Sequence, residues 1–255
     1  MNHSAYLDSV FGLEGKTILV TGAAGGIGAA ISKGLADAGA EVALCGRTLS
    51  KCQALADEIT EKGGKATAHF LDVADMSTIQ PCVDEVVERY GKIDVLFNIA
   101  GINKREGLLD VTEETYDRIM DTNLKGVYFV SQAVGREMYK RKTGSIVNIG
   151  SLNDTIMLGG CSVYGAAKSG VIALTRSMAI ELAQYGIRCN AIVPGFYAAE
   201  QNHDLLFNKD GSYTDRAGDI IAGTPMGRFG NPEELIGAAL FLASDDAAGF
   251  VNGIV

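Results

Sequence analysis

Tyr164 and Lys168 stand four residues apart, and Ser151 lies thirteen residues before the tyrosine. On a helix that spacing puts phenol and ammonium on one face, one turn apart. A free tyrosine has a pKa of about 10 and is a poor proton donor or acceptor at neutral pH. A lysine ammonium beside it favours the phenolate and draws the phenol toward the working range of a general acid or base. A serine hydroxyl nearby would add a hydrogen bond to a substrate oxygen. The chemistry open to such a set is proton transfer to and from an oxygen. A Tyr/Lys pair alone is more often an ordinary surface pair, so the elements that position it decide.

Those elements begin with a glycine-rich turn, Thr21-Gly-Ala-Ala-Gly-Gly-Ile-Gly28. Before it, Lys16-Thr-Ile-Leu-Val-Thr21 is a short β-branched apolar run of the kind that forms a buried parallel strand. After Gly22, Gly26, Ile27 and Gly28 the sequence takes on helical periodicity through Leu35. Strand, glycine turn, helix is the context in which such glycines bind a dinucleotide. The turn lets backbone approach a pyrophosphate, which rests on the helix N-terminus, where unpaired N–H groups and the dipole attract anions. A tight βα turn with no ligand is the competing reading of the glycines taken alone.

Strand and helix signals then alternate to the end. Apolar runs fall at 16–21, 41–45, 65–71, 93–99, 144–150 and 187–193, with amphipathic stretches near 27–38, 49–62, 75–90, 112–140 and 162–185. That alternation predicts an α/β fold, a doubly wound parallel sheet of Rossmann type with helices on both faces. Gly39, Gly63-Gly64, Gly91 and Gly186 fall where helices should end, and Asn231-Pro232-Glu233-Glu234 has the signature of a helix start. The expected organisation is one dinucleotide-binding and catalytic domain over 1–255. Its long irregular segment at about 195–230 is read as a substrate cover, since loops of that length are usually functional.

Taken together, Thr21-Gly-x-x-x-Gly-Ile-Gly28, Asp72, Asn98-Ile-Ala-Gly101, Asn123, Ser151, Tyr164-x-x-x-Lys168 and Pro194-Gly195 resemble, in order and spacing, the short-chain dehydrogenase/reductase family over residues 12–255. The resemblance implies an NAD(P)(H)-dependent interconversion of a ketone and a secondary alcohol. It makes Tyr164 the general acid of carbonyl reduction and the general base in reverse. Lys168 would lower the tyrosine pKa and bind the nicotinamide ribose, and Ser151 would hold the substrate oxygen. Asn123 would keep a water that links Lys168 to solvent. Gly22, Gly26, Ile27, Gly28, Asp72, Val73, Asn98, Ala100, Gly101, Pro194 and Gly195 would line the dinucleotide, with Asp72 at the adenine amino group. Asp72 reads equally as a helix N-cap, and Pro194-Gly195 as a plain turn. The family's Asn-Asn-Ala-Gly appears here as Asn-Ile-Ala-Gly, which keeps Asn98. Relatives continue into a last strand beyond Phe250-Val-Asn-Gly-Ile-Val255, and they form homotetramers through the long helices near 112–140 and 162–185.

Cofactor choice turns on the end of the second strand. A carboxylate there holds a ribose 2′-hydroxyl, whereas an arginine accommodates a 2′-phosphate. This chain reads Leu44-Cys45-Gly46-Arg47-Thr48, with no acid and with Arg47 able to fork onto a phosphate. The reading is NADP, with NAD as the alternative if Arg47 only stacks on adenine.

Composition narrows the partners. A net charge of −9 argues against nucleic acid and against an anionic membrane. The five cysteines (45, 52, 82, 161, 189) have neither paired nor metal-ligand spacing and suit a reducing cytoplasm. His3, His69 and His203 are isolated, so no metal site is expected. The opening residues are polar and acidic rather than a leader, and no apolar run reaches transmembrane length.

For the substrate, Gly101-Ile-Asn-Lys-Arg105, Gly150-Ser-Leu-Asn-Asp154 and Thr224-Pro-Met-Gly-Arg-Phe-Gly230 look most like relatives acting on sugar acids, such as gluconate 5-dehydrogenases and fructuronate or deoxyketogluconate oxidoreductases. Lys104 or Arg105 would meet a carboxylate and Asn153 would read hydroxyls. The two cations read equally as solvated loop charges or phosphate contacts. The polar stretch Ala198-Ala-Glu-Gln-Asn202 argues against steroid or long acyl substrates. A 3-ketoacyl carrier-protein reductase shares every core motif, and a non-catalytic nucleotide sensor on the same fold is the alternative of another class.

Overall fold

A computed structural model describes residues 3–198 and 206–255. In chain order the elements are α1 (His3–Phe11), β1 (Thr17–Thr21), α2 (Gly26–Asp37), β2 (Glu41–Gly46), α3 (Leu49–Glu61), β3 (Lys65–Phe70), α4 (Met76–Tyr90) and β4 (Val95–Asn98). There follow α5 (Glu113–Met120), α6 (Gly126–Arg141), β5 (Gly144–Ile149), α7 (Ser162–Ala183), β6 (Ile187–Ile192), α8 (Asp215–Ala222), α9 (Ile236–Ala243) and α10 (Asp245–Ala248). All strand pairs are parallel and the order is β3-β2-β1-β4-β5-β6. The predicted doubly wound sheet is therefore present, and its order reverses between β1 and β4, where such sheets open a crevice at their carboxyl ends.

Every residue of β1, β4, β5 and β6 is buried, which is why these strands are mostly apolar; Asn148, Arg188 and Asn190 are polar residues buried within β5 and β6. Alternate side chains serve two cores. Ile18, Val20, Val42, Leu44 and Phe97 pack with Ile31 and Leu35 of α2, Leu55 and Ile59 of α3 and Leu242 of α9. Leu19, Leu96 and Ile146 pack with Val83 and Val86 of α4, Val130, Val134 and Met138 of α6 and Ala179 of α7. Burying one Leu or Ile side chain is worth roughly 1.5–3 kcal/mol, so both faces hold the sheet firmly. Gly39, Gly63, Gly91 and Gly186 have positive φ at the helix-to-strand turns, as their positions required.

Two expectations are refined. The helix expected near 112–140 is present over 113–141, with one π-type turn over Asp121–Lys125 set between α5 and α6. Such turns are frequent at functional sites, and this one carries Asn123. The start at Asn231 has its reciprocal capping box with Glu234, but Pro232–Leu235 forms a 3₁₀ turn before α9 begins. Short helices α1 and α8 were not among the expected elements, although α8 is amphipathic and capped by Thr214.

Beyond β6 the backbone at 196–198 returns beside Gly230, through Gly230 N–H to Phe196 O (3.0 Å) and Ala198 N–H to Gly230 O (3.1 Å). The part of the irregular segment described between them has its own small core of Leu206, Ala217 and Phe229, with Phe207 and Tyr213 stacked beside Phe229. Residues 199–202 of the polar stretch, and His203, lie outside the described residues. The last residues run along β6, with Gly253 N–H donating to Cys189 O and Ala191 N–H to Ile254 O.

Candidate functional site

The crevice at the β1/β4 reversal is built by backbone contact. Gly22 has φ +65°, and a Cβ there would stand 2.8 Å from the backbone of Ala100. A Cβ on Gly28 would stand 2.2 Å from Gly22 O. The Thr21 hydroxyl accepts from Ile99 N–H (3.1 Å) and Ala100 N–H (3.2 Å), tying the end of β1 to the loop after β4. Helix α2 starts from Gly25, which has no side chain to cap it. Its first N–H groups around Gly26 and Ile27 are therefore available to an anion, and the bare glycines leave room for one. The residues fit a dinucleotide pyrophosphate.

At the ribose end, Arg47 is exposed just before α3, whose N-cap Thr48 makes no side-chain capping bond. Asp72 is not a helix cap. Asp75 caps α4 by accepting from Ser77 N–H, while Asp72 closes a turn by accepting from Ala74 N–H (3.0 Å). Its remaining carboxylate oxygen is left for another donor. Val73 is buried against Gly126, where any Cβ would stand 2.6 Å from Val73 O. Asn98 is also buried, and both its side-chain N–H groups are committed, to Ser131 Oγ (2.8 Å) and to Asn148 Oδ1 (2.9 Å). It braces β4 against β5 and α6, which leaves Ala100 and Gly101 to face the crevice. Pro194 O accepts Leu152 N–H (3.2 Å), so the Pro194-Gly195 turn is pinned to the segment that follows β5.

That segment carries Ser151. The strand ends at Ile149, and Ser151 caps a 3₁₀ turn over Leu152–Asp154. Tyr164 and Lys168 lie in the first two turns of α7, and Ser151 is near enough to Tyr164 to draw its phenol pKa down. Lys168 is 4% exposed and donates to Ile149 O (2.6 Å). Burial lowers its ammonium to about 8. Asn123 is fully buried and pairs with the backbone of Ile102, accepting from its N–H (2.8 Å) and donating to its O (2.7 Å). A Cβ on Gly101 would stand 2.8 Å from Asn123 Oδ1 and 3.6 Å from Lys168 Nζ, so that glycine keeps open the space shared by both. All four residues meet at the carboxyl end of β4 and β5.

The electrostatics differ from the simple reading of the Tyr/Lys spacing. Burial holds the Tyr164 pKa above the ordinary tyrosine value, and the nearby Ser151 offsets only part of that rise. Lys168 Nζ stands 5.9 Å from the Tyr164 ring centre, and it spends its shortest hydrogen bond on a backbone carbonyl. In this geometry the lysine acts on the phenol only at longer range.

The substrate-side residues separate. Lys104 is ion-paired with Glu106 and donates to Thr115 Oγ1 (3.2 Å), so its charge is answered locally. Arg105 is exposed and donates to Gly159 O (2.8 Å), bridging the loops after β4 and β5 and keeping other guanidinium N–H groups in solvent. Asn153 is 2% exposed, with its amide engaged by Leu158 N–H (2.7 Å) and Cys161 O (3.3 Å). It serves the loop rather than a substrate hydroxyl. Sequence reading passed over Thr21 as a brace and over Gly165, whose missing Cβ admits the Asn153 amide. The hydroxyl at a strand end and the glycine directly after Tyr164 were the available signals. Among the described residues no group of three or more His, Cys, Asp or Glu is placed to hold a metal, and no helix is long and apolar enough to cross a membrane.

Residues 16–209 match the short chain dehydrogenase family. The chain is 39% identical over 246 residues to gluconate 5-dehydrogenase of Gluconobacter oxydans (strain 621H), covering 96% of this chain and 94% of that protein. It is also 39% identical over 244 residues to the 3-oxoacyl-[acyl-carrier-protein] reductase FabG of Thermotoga maritima (strain ATCC 43589 / DSM 3109 / JCM 10099 / NBRC 100826 / MSB8), covering 95% and 96%. Among solved structures, a gluconate 5-dehydrogenase from Burkholderia cenocepacia J2315 in complex with NADP and tartrate superposes with a TM-score of 0.89 at 37% identity, covering 97% of this chain and 94% of that one. With the sheet order, the glycine turn and the Ser151, Tyr164 and Lys168 cluster in place, this chain belongs to the short-chain dehydrogenase/reductase family of oxidoreductases.

Proposed function

We propose that the protein is an NADP(H)-dependent oxidoreductase that interconverts the ketone and secondary alcohol of a sugar acid of the gluconate type. The observation that carries the reading is the clustering of Ser151, Tyr164, the buried Lys168 and the buried Asn123 at the carboxyl ends of β4 and β5, beside the glycine-built crevice. The cofactor, when bound, supplies or accepts the hydride. The protein's own part is orientation and the proton. Tyr164 gives its phenolic proton to the carbonyl oxygen in reduction and removes the alcohol proton in the reverse direction. Ser151 donates a hydrogen bond to the same oxygen. Lys168 holds positive charge near the phenolate formed after proton transfer, and Asn123 stands over Gly101 on the route by which a proton is replaced.

Arg47 is assigned to the 2′-phosphate, because it is exposed at the ribose end with no carboxylate on the β2 terminus. Of the two loop cations, Arg105 is the one assigned to a substrate carboxylate, since Lys104 is already neutralised by Glu106. The relatives' names and the tartrate complex support a hydroxy acid. A second reading, reduction of a 3-oxoacyl thioester, draws on the FabG relative and on the exposed apolar groups Leu108, Leu109, Ile156 and Met157 on the loops after β4 and β5. The test is NADPH consumption with the 5-keto acid of gluconate against a 3-oxoacyl thioester. Preference for the keto acid, with a raised KM in Arg105→Ala, supports the first reading. Preference for the thioester replaces it with the second.

The homotetramer implied by the family resemblance belongs to this proposal. An apolar groove on α5, the π turn, α6 and α7, lined by Met120, Leu124, Tyr128, Phe129 and Leu174, supports a second copy as its cover.

A further inference from the structure

Between Ser151 and Tyr164 the chain makes one 3₁₀ turn and then a loop in which Thr155, Ile156, Met157 and Gly159 are exposed. A loop of that kind does not by itself hold two hydroxyls at a fixed separation. One buried side chain spans it. Asn153 donates its backbone N–H to Ser151 Oγ (3.2 Å), accepts Leu158 N–H on Oδ1 (2.7 Å) and donates Nδ2 to Cys161 O (3.3 Å), the residue directly before α7. The amide lies against the bare backbone of Gly165, next to Tyr164. A Cβ at that position would stand 2.9 Å from Asn153 Nδ2 and 3.3 Å from Asn153 O.

We propose that Asn153 is a positioning residue that fixes the Ser151 hydroxyl against the Tyr164 hydroxyl by clamping the loop between them onto the first turn of α7; this rests on Ser151 and Tyr164 being the acid–base pair proposed above. The chemistry of the clamp is specific to an amide, because one end must accept and the other must donate. Aspartate keeps the acceptor for Leu158 but turns a carboxylate toward the Cys161 carbonyl. Leucine fills the space and leaves Leu158 N–H and Cys161 O without their partner. Ser151 Oγ accepts Asn153 N–H, so the turn that Asn153 belongs to also sets where that hydroxyl sits. Ser169 Oγ donates to Asp154 O (3.3 Å) and adds a weaker tie from the same loop to α7.

The experiment measures Asn153→Ala, Asn153→Asp, Gly165→Ala and the Asn153→Ala/Gly165→Ala double variant. NADPH binding is followed by calorimetry, kcat and KM with the keto acid, and Tyr164 ionisation by NMR of ring-labelled tyrosine, with Tyr164→Phe identifying the signal. The clamp predicts kcat lower by roughly a hundredfold, as for a misplacement near 1 Å, with the NADPH dissociation constant within about twofold. Tyr164 should titrate at higher pH in the variants, because the Ser151 hydroxyl that opposes the effect of burial on the phenol is displaced. Gly165→Ala should reproduce the Asn153→Ala defect, and the double variant should be no worse than Asn153→Ala alone, since both remove one interaction. Should Asn153→Ala fail to fold, Gly165→Ala and Asn153→Asp carry the same comparison. Wild-type kcat and an unmoved Tyr164 titration in Asn153→Ala, with Tyr164→Phe inactive, overturn the clamp and leave the acid–base pair standing. Activity in Tyr164→Phe overturns both.

Discussion

Lys168→Met separates what the lysine does for the reaction from what it does to the fold. The ammonium sits 4% exposed with one hydrogen bond, to Ile149 O, and burial lowers its pKa from 10.5 to about 8. At 1.36 kcal/mol per pKa unit, keeping it charged in the folded state below pH 8 costs about 3 kcal/mol. The sign follows from proton counting. Between about pH 8 and 10.5 the folded chain has released a proton that the unfolded chain still holds, so this residue makes stability rise with pH across that window. Methionine removes the whole contribution and also leaves Ile149 O without its donor, a loss of about 1–3 kcal/mol. The two opposing effects make the variant equal to the wild type or up to about 2 kcal/mol more stable at pH 7. Near pH 10, where roughly 0.8 kcal/mol of that cost remains, it should be less stable than the wild type by up to about 2 kcal/mol. Urea unfolding of both proteins from pH 7 to 10, at one protein concentration, reads the difference directly. A difference that stays flat across that range would show that the lysine titrates normally in the fold and would refute the burial reasoning.

Other expectations follow from the same geometry. Arg47→Ala should weaken NADPH binding by roughly ten- to a hundredfold, the worth of charge-assisted hydrogen bonds to a phosphate, and leave NADH binding unchanged; calorimetry decides it, and equal losses for both cofactors would remove the 2′-phosphate role. Asp94, 5% exposed, accepts Thr17 N–H (2.8 Å), Arg141 (2.5 Å) and Lys92 (2.9 Å) at the amino end of the sheet. Asp94→Asn should destabilise by about 3–5 kcal/mol in denaturant unfolding. Because these partners hold the Asp94 carboxyl below its ordinary pKa against its burial, its contribution is complete above about pH 4 and is lost as the pH falls through the folded value. Sedimentation velocity should show a multiple of the 26.8 kDa chain, and Leu124→Glu in the apolar groove should shift it toward monomer; a wild-type monomer would discard the assembly.

The sheet was legible because β1, β4, β5 and β6 are buried on both faces and so are short, mainly apolar segments separated by turn glycines. The glycine turn and the Tyr164/Lys168 spacing were legible because both are local, one fixed by backbone approach and the other by helical periodicity. What could not be read were roles set by partners distant in sequence. For Asn98, the bonds to Ser131 and Asn148 that brace β4 could not be read from the sequence. Lys104 and Arg105 are neighbours with the same charge, and their contacts with Thr115 and with Gly159 O separate them. The π turn at Asp121–Lys125 carries no periodic break, so a continuous helix was the natural expectation. The Tyr164 pKa needed burial as well as spacing, and burial is a property of the assembled crevice.

The account rests on Tyr164 as the proton donor and acceptor beside Ser151. The most direct measurement is turnover of the keto acid by Tyr164→Phe with saturating NADPH, alongside NADPH binding to the same variant. Loss of roughly a hundredfold or more in kcat, the contribution of a general acid, with cofactor affinity preserved, is the predicted result. Turnover at the wild-type rate would contradict the assignment and move the search for the acid to another group in the crevice.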